Sequence, residues 1–223
     1  DPLLTTNLPA NITASTGIDA MVHAIEAFTS INSNNNPVSK MLSIEALKLL
    51  GSSIKTAVFD GHNINARSNM LLGSMLAGKA FANSPVAAVH ALAYPIGGLF
   101  NISHGLSNSL VLTSVMKFNS KNEETKKNYA HLAPYVFKNL DNSKNDEFLC
   151  NNFIDGLERL CKELNLPYRL RDLEIPEEAC KLMASEAMKQ TRLLVNNPRK
   201  IEESDAYNIY LSLIHISEPT RLV

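Results

Sequence analysis

Apolar residues recur along this chain at intervals of three and four, and no stretch alternates with the period of two expected of a half-buried strand. In TASTGIDAMVHAIEAF, residues 13–28, Ile18, Val22 and Ile25 sit at helical spacing, and Thr13, Ser15 or Thr16 offers an N-cap. Asn36-Pro37 pairs a capping residue with a proline suited to the first helical turn, and Met41, Ile44, Leu47 and Ile54 carry an apolar stripe toward Phe59. RSNMLLGSMLAGKAFA, residues 67–82, spaces Gly73, Ala77, Gly78, Ala80 and Ala82 among Leu and Met, which predicts a buried helix whose backbone neighbours approach closely. A break at Pro95 and Gly97-Gly98 precedes a helix capped by Ser103, and later helices are expected over 123–137, 148–164 and 176–191. The polar run from Asn139 to Asp146 reads as a loop between subdomains. The pattern as a whole predicts an all-α fold.

Composition narrows the partners. At 223 residues the chain can bury a sizeable core. Its formal net charge of -1 gives no electrostatic case for nucleic acid or an anionic membrane. No apolar run reaches transmembrane length, so small neutral molecules are the expected partners. Cys150, Cys161 and Cys180 lack CxxC spacing and lie away from the histidines discussed below; they read as reduced thiols of a reducing compartment, not as metal ligands. The chain begins at Asp1-Pro2 with no initiator Met, as if cut from something longer.

Candidate chemistry lies in the first half. Asp19 and His23 are four residues apart, so on a helix they share a face and can converge on one ion. Taken alone the pair reads more simply as an acid near a helix N-terminus and a core histidine. His90 changes that balance, because its setting AAVHALAYP is strongly apolar and an imidazole buried there needs a partner. His104 follows Ser103 and precedes Gly105, which places it at a helix N-terminus, where the dipole disfavours imidazolium and keeps the ring in the neutral form a metal requires. Three imidazoles and one carboxylate make an N3O set suited to Fe(II) or Zn(II) more than to Mg(II) or Ca(II), and donor softness does not choose between the first two.

TASTGIDAMVHAIEAF and VHALAYPIGGLFNISHGLSNSLVL resemble the two signature regions of the iron-containing (group III) alcohol dehydrogenases, down to the fourteen residues from His90 to His104. The similarity continues through NNPR, Asn196 to Arg199, and covers about residues 1–210. It implies the helical bundle that forms the C-terminal domain of a two-domain fold, with residues 1–210 as the metal-binding, catalytic domain. It also implies that Asp19, His23, His90 and His104 bind one catalytic metal, iron or alternatively zinc. The N-terminal α/β domain, whose glycine-rich turn would cradle NAD(P), has no counterpart in this sequence, since Gly97-Gly98 lies between helices and not between a strand and a helix. The chain is therefore expected to supply half of a cytoplasmic enzyme that self-associates when intact and interconverts an alcohol with its aldehyde or ketone. One Asp and three neutral imidazoles around a divalent ion would leave a charge of about +1, which favours an alkoxide. Leu211 to Arg221, LSLIHISEPTR, resembles the translation of a transposase adapter used in DNA library preparation, so 211–223 is expected to be a non-native tail.

One position departs from the family. Many relatives carry a further proton-relaying His four residues after the third ligand, and here that position is Tyr94. Tyr, with a reference pKa near 10, accepts a proton poorly at neutral pH, so Tyr94 either lines the substrate pocket or packs beside Pro95. Glu26 could accept a hydrogen bond from a ligand imidazole or simply face solvent. His62 and His131, in polar settings, are expected at the surface, and Lys189, Arg192, Arg199 and Lys200 on a solvated face rather than around a phosphate. Two alternatives stand beside this reading: a zinc-dependent polyol dehydrogenase of the same superfamily, and a non-catalytic helical domain with core histidines.

Overall fold

In the computed structural model, which describes residues 1–214, every regular element is helical, as the periodicity predicts. A 3-10 turn over Pro2–Thr5 leads into α1 (Ala10–Thr29), α2 (Pro37–Phe59), α3 (Ile64–Asn83), α4 (Ala88–Phe100) and α5 (His104–Asn119). Then follow α6 (Glu123–Val136), α7 (Asp146–Glu163), a second 3-10 turn at Leu170–Leu173, α8 (Ala179–Met188), α9 (Thr191–Leu194) and α10 (Glu203–Ile214). Helix α1 is the axis of the bundle: α2, α3 and α5 all pack on it, and it buries residues around most of its circumference. A helix apolar on nearly all sides is stable only when enclosed in this way. Helices α6 and α7 pack as a pair, while α8 and α10 pack together and against α4 and α5 respectively.

Local signals explain several boundaries. The Asn36 side chain accepts hydrogen bonds from the backbone N–H groups of Val38 and Ser39, with Pro37 as the first helical residue, as expected. Asn63, Asn122 and Asn145 cap α3, α6 and α7 by the same chemistry.

Other boundaries differ from expectation. Helix α1 starts at Ala10, one turn before the proposed caps, after a Pro9 that makes no side-chain cap bond. Thr16 and Ser15 donate their hydroxyls back to the Ile12 carbonyl, and the Thr13 hydroxyl accepts from Arg67, so these residues serve the helix interior. Pro95 and Gly97-Gly98 do not break the chain: α4 runs through them to Phe100 and is closed by a C-cap at Asn101, in the left-handed conformation (φ 54). Proline removes one helical N–H there, and next to the gap the Tyr210 hydroxyl donates to the Leu92 carbonyl at 2.6 Å. Ser103 does hold the N-cap position of α5 but makes no side-chain cap bond; its carbonyl instead accepts from the Ser107 hydroxyl.

Helix α3 is only partly buried, contrary to expectation, with Leu71, Leu72 and Met75 exposed. The small residues do what their spacing suggests, since a Cβ on Gly73 would stand 2.8 Å from Leu50 of α2. The loop between α6 and α7 joins two packed helices rather than two subdomains. The three cysteines are free and buried, and burial pushes the thiols of Cys150 and Cys180 up to about 11 and that of Cys161 up to about 12. Among the described residues no helix is long and apolar enough to cross a membrane. Helix α10 continues past Tyr210 to Ile214, with Leu213 and Ile214 buried; the remainder of the expected tail, 215–223, lies outside the described residues.

Candidate metal centre

Three helices meet at the predicted residues. Helix α1 presents Asp19 and, one turn on, His23; α4 brings His90 from its first turn; α5 brings His104 as its first residue. Each of the four offers one ligand atom, and these atoms all lie within 4.8 Å of one another. The Nε2 atom of His90 is 3.0 Å from Nε2 of His23 and 3.8 Å from Oδ1 of Asp19, and Nε2 of His104 is 3.6 Å from the same oxygen. Donors held about 2.1 Å from a tetrahedral ion stand about 3.4 Å apart, so these separations are those of a coordination shell.

The approach of α5 to α1 depends on Gly105. A Cβ at that position would stand 2.6 Å from the Ser15 carbonyl oxygen, so only glycine lets the start of α5 lie against the α1 backbone and carry His104 to Asp19. On the other side the His23 ring stacks between His90 and the half-buried Phe81 of α3, with both centroid separations 4.7 Å. The cluster is graded in exposure: His90 is buried, whereas the His104 side chain is 49% exposed and marks the open side.

Electrostatics prepare the donors. Burial pushes His23 down to about 4, with the Asp19 carboxylate opposing the shift and the neighbouring imidazole of His90 adding to it. His23 is therefore neutral at physiological pH, the form in which an imidazole can bind a metal. Glu26 is not a solvated residue. It is buried, and its Oε2 lies 2.6 Å from His90 Nδ1. A carboxylate only accepts, so Nδ1 carries the proton and Nε2, aimed at the cluster, keeps its lone pair. Asp19 and the buried Glu26 thus bring two acidic side chains to the three imidazoles, Glu26 behind His90 and Asp19 beside His90 and His104.

Asn108 belongs to the site and was missed in the sequence. It lies four residues after His104 on the same face of α5, which is the signal that could have found it. Its Nδ2 donates to Asp19 Oδ1 at 2.6 Å and lies 3.1 Å from His104 Nε2, while its buried Oδ1 has no protein partner. An orphaned polar atom on a residue that touches both Asp19 and His104 fits a centre built for an ion.

The other candidates fall elsewhere. Tyr94, 38% exposed, sits at the open rim with its ring centroid 6.1 Å from that of His104. His62 and His131 are exposed and outside the cluster, His131 stacked on Phe28. The basic residues near the C-terminus do not converge on a phosphate site. Lys189 pairs with Glu186 and Lys200 with Glu202, while Arg199 donates to the Phe118 carbonyl and lies over its ring.

Residues 13–214 match the profile described as "Fe-containing alcohol dehydrogenase family, C-terminal". The chain belongs to this family. It is similar to long-chain-alcohol dehydrogenase 1 of Geobacillus thermodenitrificans, 39% identical over 215 residues that cover 94% of this chain and 52% of that protein. It is 36% identical to the 1,3-propanediol dehydrogenase of Citrobacter freundii, covering 94% of this chain and 53% of the relative. Among solved structures, a 1,3-propanediol oxidoreductase superposes with a TM-score of 0.90 at 33% identity, over 96% of this chain and 55% of the other. The family member described here thus spans about half the length of the curated relatives it matches.

Proposed function

We propose that Asp19, His23, His90 and His104 hold one divalent metal, Fe(II) or Zn(II), and that the chain is the metal-binding half of an NAD(P)-linked oxidoreductase. Its reaction interconverts a primary or secondary alcohol with the corresponding aldehyde or ketone. The observation that carries this reading is the convergence of three imidazoles and a carboxylate within 4.8 Å. Membership of the dehydrogenase family and the names of the relatives support the reaction class.

A divalent ion held there supplies Lewis acidity, which lowers the pKa of an alcohol hydroxyl and, in reverse, polarises a carbonyl. The hydride chemistry belongs to a nicotinamide cofactor bound by a nucleotide-binding domain like that of the family. This chain's own residues do the rest. Buried His90 and its Glu26 partner keep one side of the site dry, which strengthens the electrostatics within it. The exposed edge of His104 and the ring of Tyr94 form the side by which a substrate enters, with Tyr94 lining the alcohol pocket.

The test uses the purified chain, stripped of metal and titrated with Zn(II), or with Fe(II) under anaerobic conditions. One equivalent should bind. His90→Ala should abolish stoichiometric binding and His131→Ala should not; equal binding by the two variants would overturn the assignment.

A further inference from the structure

We propose that Glu26 is a positioning residue that ties the start of α4 to the metal site, one buried carboxylate capping the helix while holding His90 in its metal-competent tautomer. The inference rests on the metal-site reading above. Helix α4 begins after Ala87, which has no side chain able to cap it, so its first N–H groups need acceptors from elsewhere. Glu26, reaching across from α1, supplies them for two of these groups. Its Oε1 accepts from Val89 N–H at 2.6 Å, and its Oε2 accepts from Ala87 N–H at 3.1 Å and from His90 Nδ1–H at 2.6 Å. The anionic acceptor also meets the positive end of the α4 dipole. Three donors from four consecutive residues thus converge on two oxygens more than sixty residues away in sequence.

Glutamine cannot reproduce this arrangement, because it has one acceptor oxygen. If its NH2 takes the Oε1 place it faces the Val89 N–H. If it takes the Oε2 place it faces Ala87 N–H and donates to His90 Nδ1, which moves the ring proton to Nε2 and blocks the atom that faces the cluster.

The experiment measures 15N shifts of His90 in the metal-free full chain near pH 7.5, together with zinc titration of wild type and Glu26→Gln. In the wild type, Nδ1 should show the shift of a protonated ring nitrogen and Nε2 that of an unprotonated one. In Glu26→Gln zinc affinity should fall about 10–100-fold, with the two shifts exchanged where the amide NH2 takes the Oε2 place and retained where it takes the Oε1 place. A wild-type ring protonated at Nε2 would overturn the proposal even if the variant fails to fold. So would a Glu26→Gln protein that loses melting temperature but keeps the wild-type tautomer and zinc affinity, for then Glu26 is a helix cap alone. A wild-type chain that binds no zinc or iron would overturn the metal reading, while the tautomer measured without metal decides the role of Glu26 on its own.

Discussion

Gly105 and Gly17 both lie where helices touch α1, and they differ in what a methyl group would meet. At Gly105 the new carbon would stand 2.6 Å from the Ser15 carbonyl oxygen and 2.9 Å from its carbon, so backbone itself must move. At Gly17 the contacts are Met70 Cε at 2.7 Å and Ile54 Cδ1 at 2.9 Å, the far ends of side chains that can turn aside. Overpacking of the first kind costs about 1–3 kcal/mol, and here it also lifts His104 away from Asp19. Gly105→Ala is therefore expected to lower the denaturation midpoint and to weaken zinc binding by tenfold or more, whereas Gly17→Ala weakens binding little. Calorimetric titration of both variants checks this, and equal zinc affinities would show that the close approach of α5 does not set the geometry.

At the scale of elements, the end of α10 bears on where the native domain stops. The adapter-like stretch begins at Leu211, yet α10 runs on to Ile214, and Leu213 and Ile214 are only 4% and 3% exposed. Burying two such side chains is worth about 3 kcal/mol or more. A chain ended after Ile214 should melt at or above the temperature of the full chain, since Leu213 and Ile214 remain in place. Ending the chain after Tyr210 should lower the melting temperature by several degrees and loosen the contact of α10 with α5 and α8. Identical melting of the two truncations would show that the last turn of α10 contributes nothing.

At the scale of the whole molecule, the chain carries a cluster of candidate metal ligands open on one side and spans about half the length of its relatives. Among the described residues there is no strand, hence no strand-turn-helix unit to cradle a dinucleotide. Loaded with iron or zinc, the chain alone is expected to show no NAD(P)-dependent alcohol oxidation above background. Fusing it behind the nucleotide-binding domain of a close relative should restore turnover. Absorbance of reduced nicotinamide at saturating alcohol is the measurement, and robust turnover by the isolated chain would refute the division of labour.

The sequence by itself determined the fold class and the four candidate ligands, for reasons that are local. A period of 3.6 is written into neighbouring residues, the Asp19–His23 spacing sets a common helical face, and caps such as Asn36 act within three positions of themselves. Where a competing force came from far along the chain, local reading failed. Pro95 reads as a break, but packing carries α4 through it and Tyr210, from another helix, bonds the Leu92 carbonyl beside it. Glu26 could face either water or an imidazole until the fold placed it beneath α4. Asn108 carries no signal beyond its spacing from His104. Only tertiary structure brought α4 and α5 onto α1, because burial against distant segments, not helical propensity, decides which faces meet. That meeting turned two separate signatures into a single cluster with its own hydrogen bonds, buried face and open side.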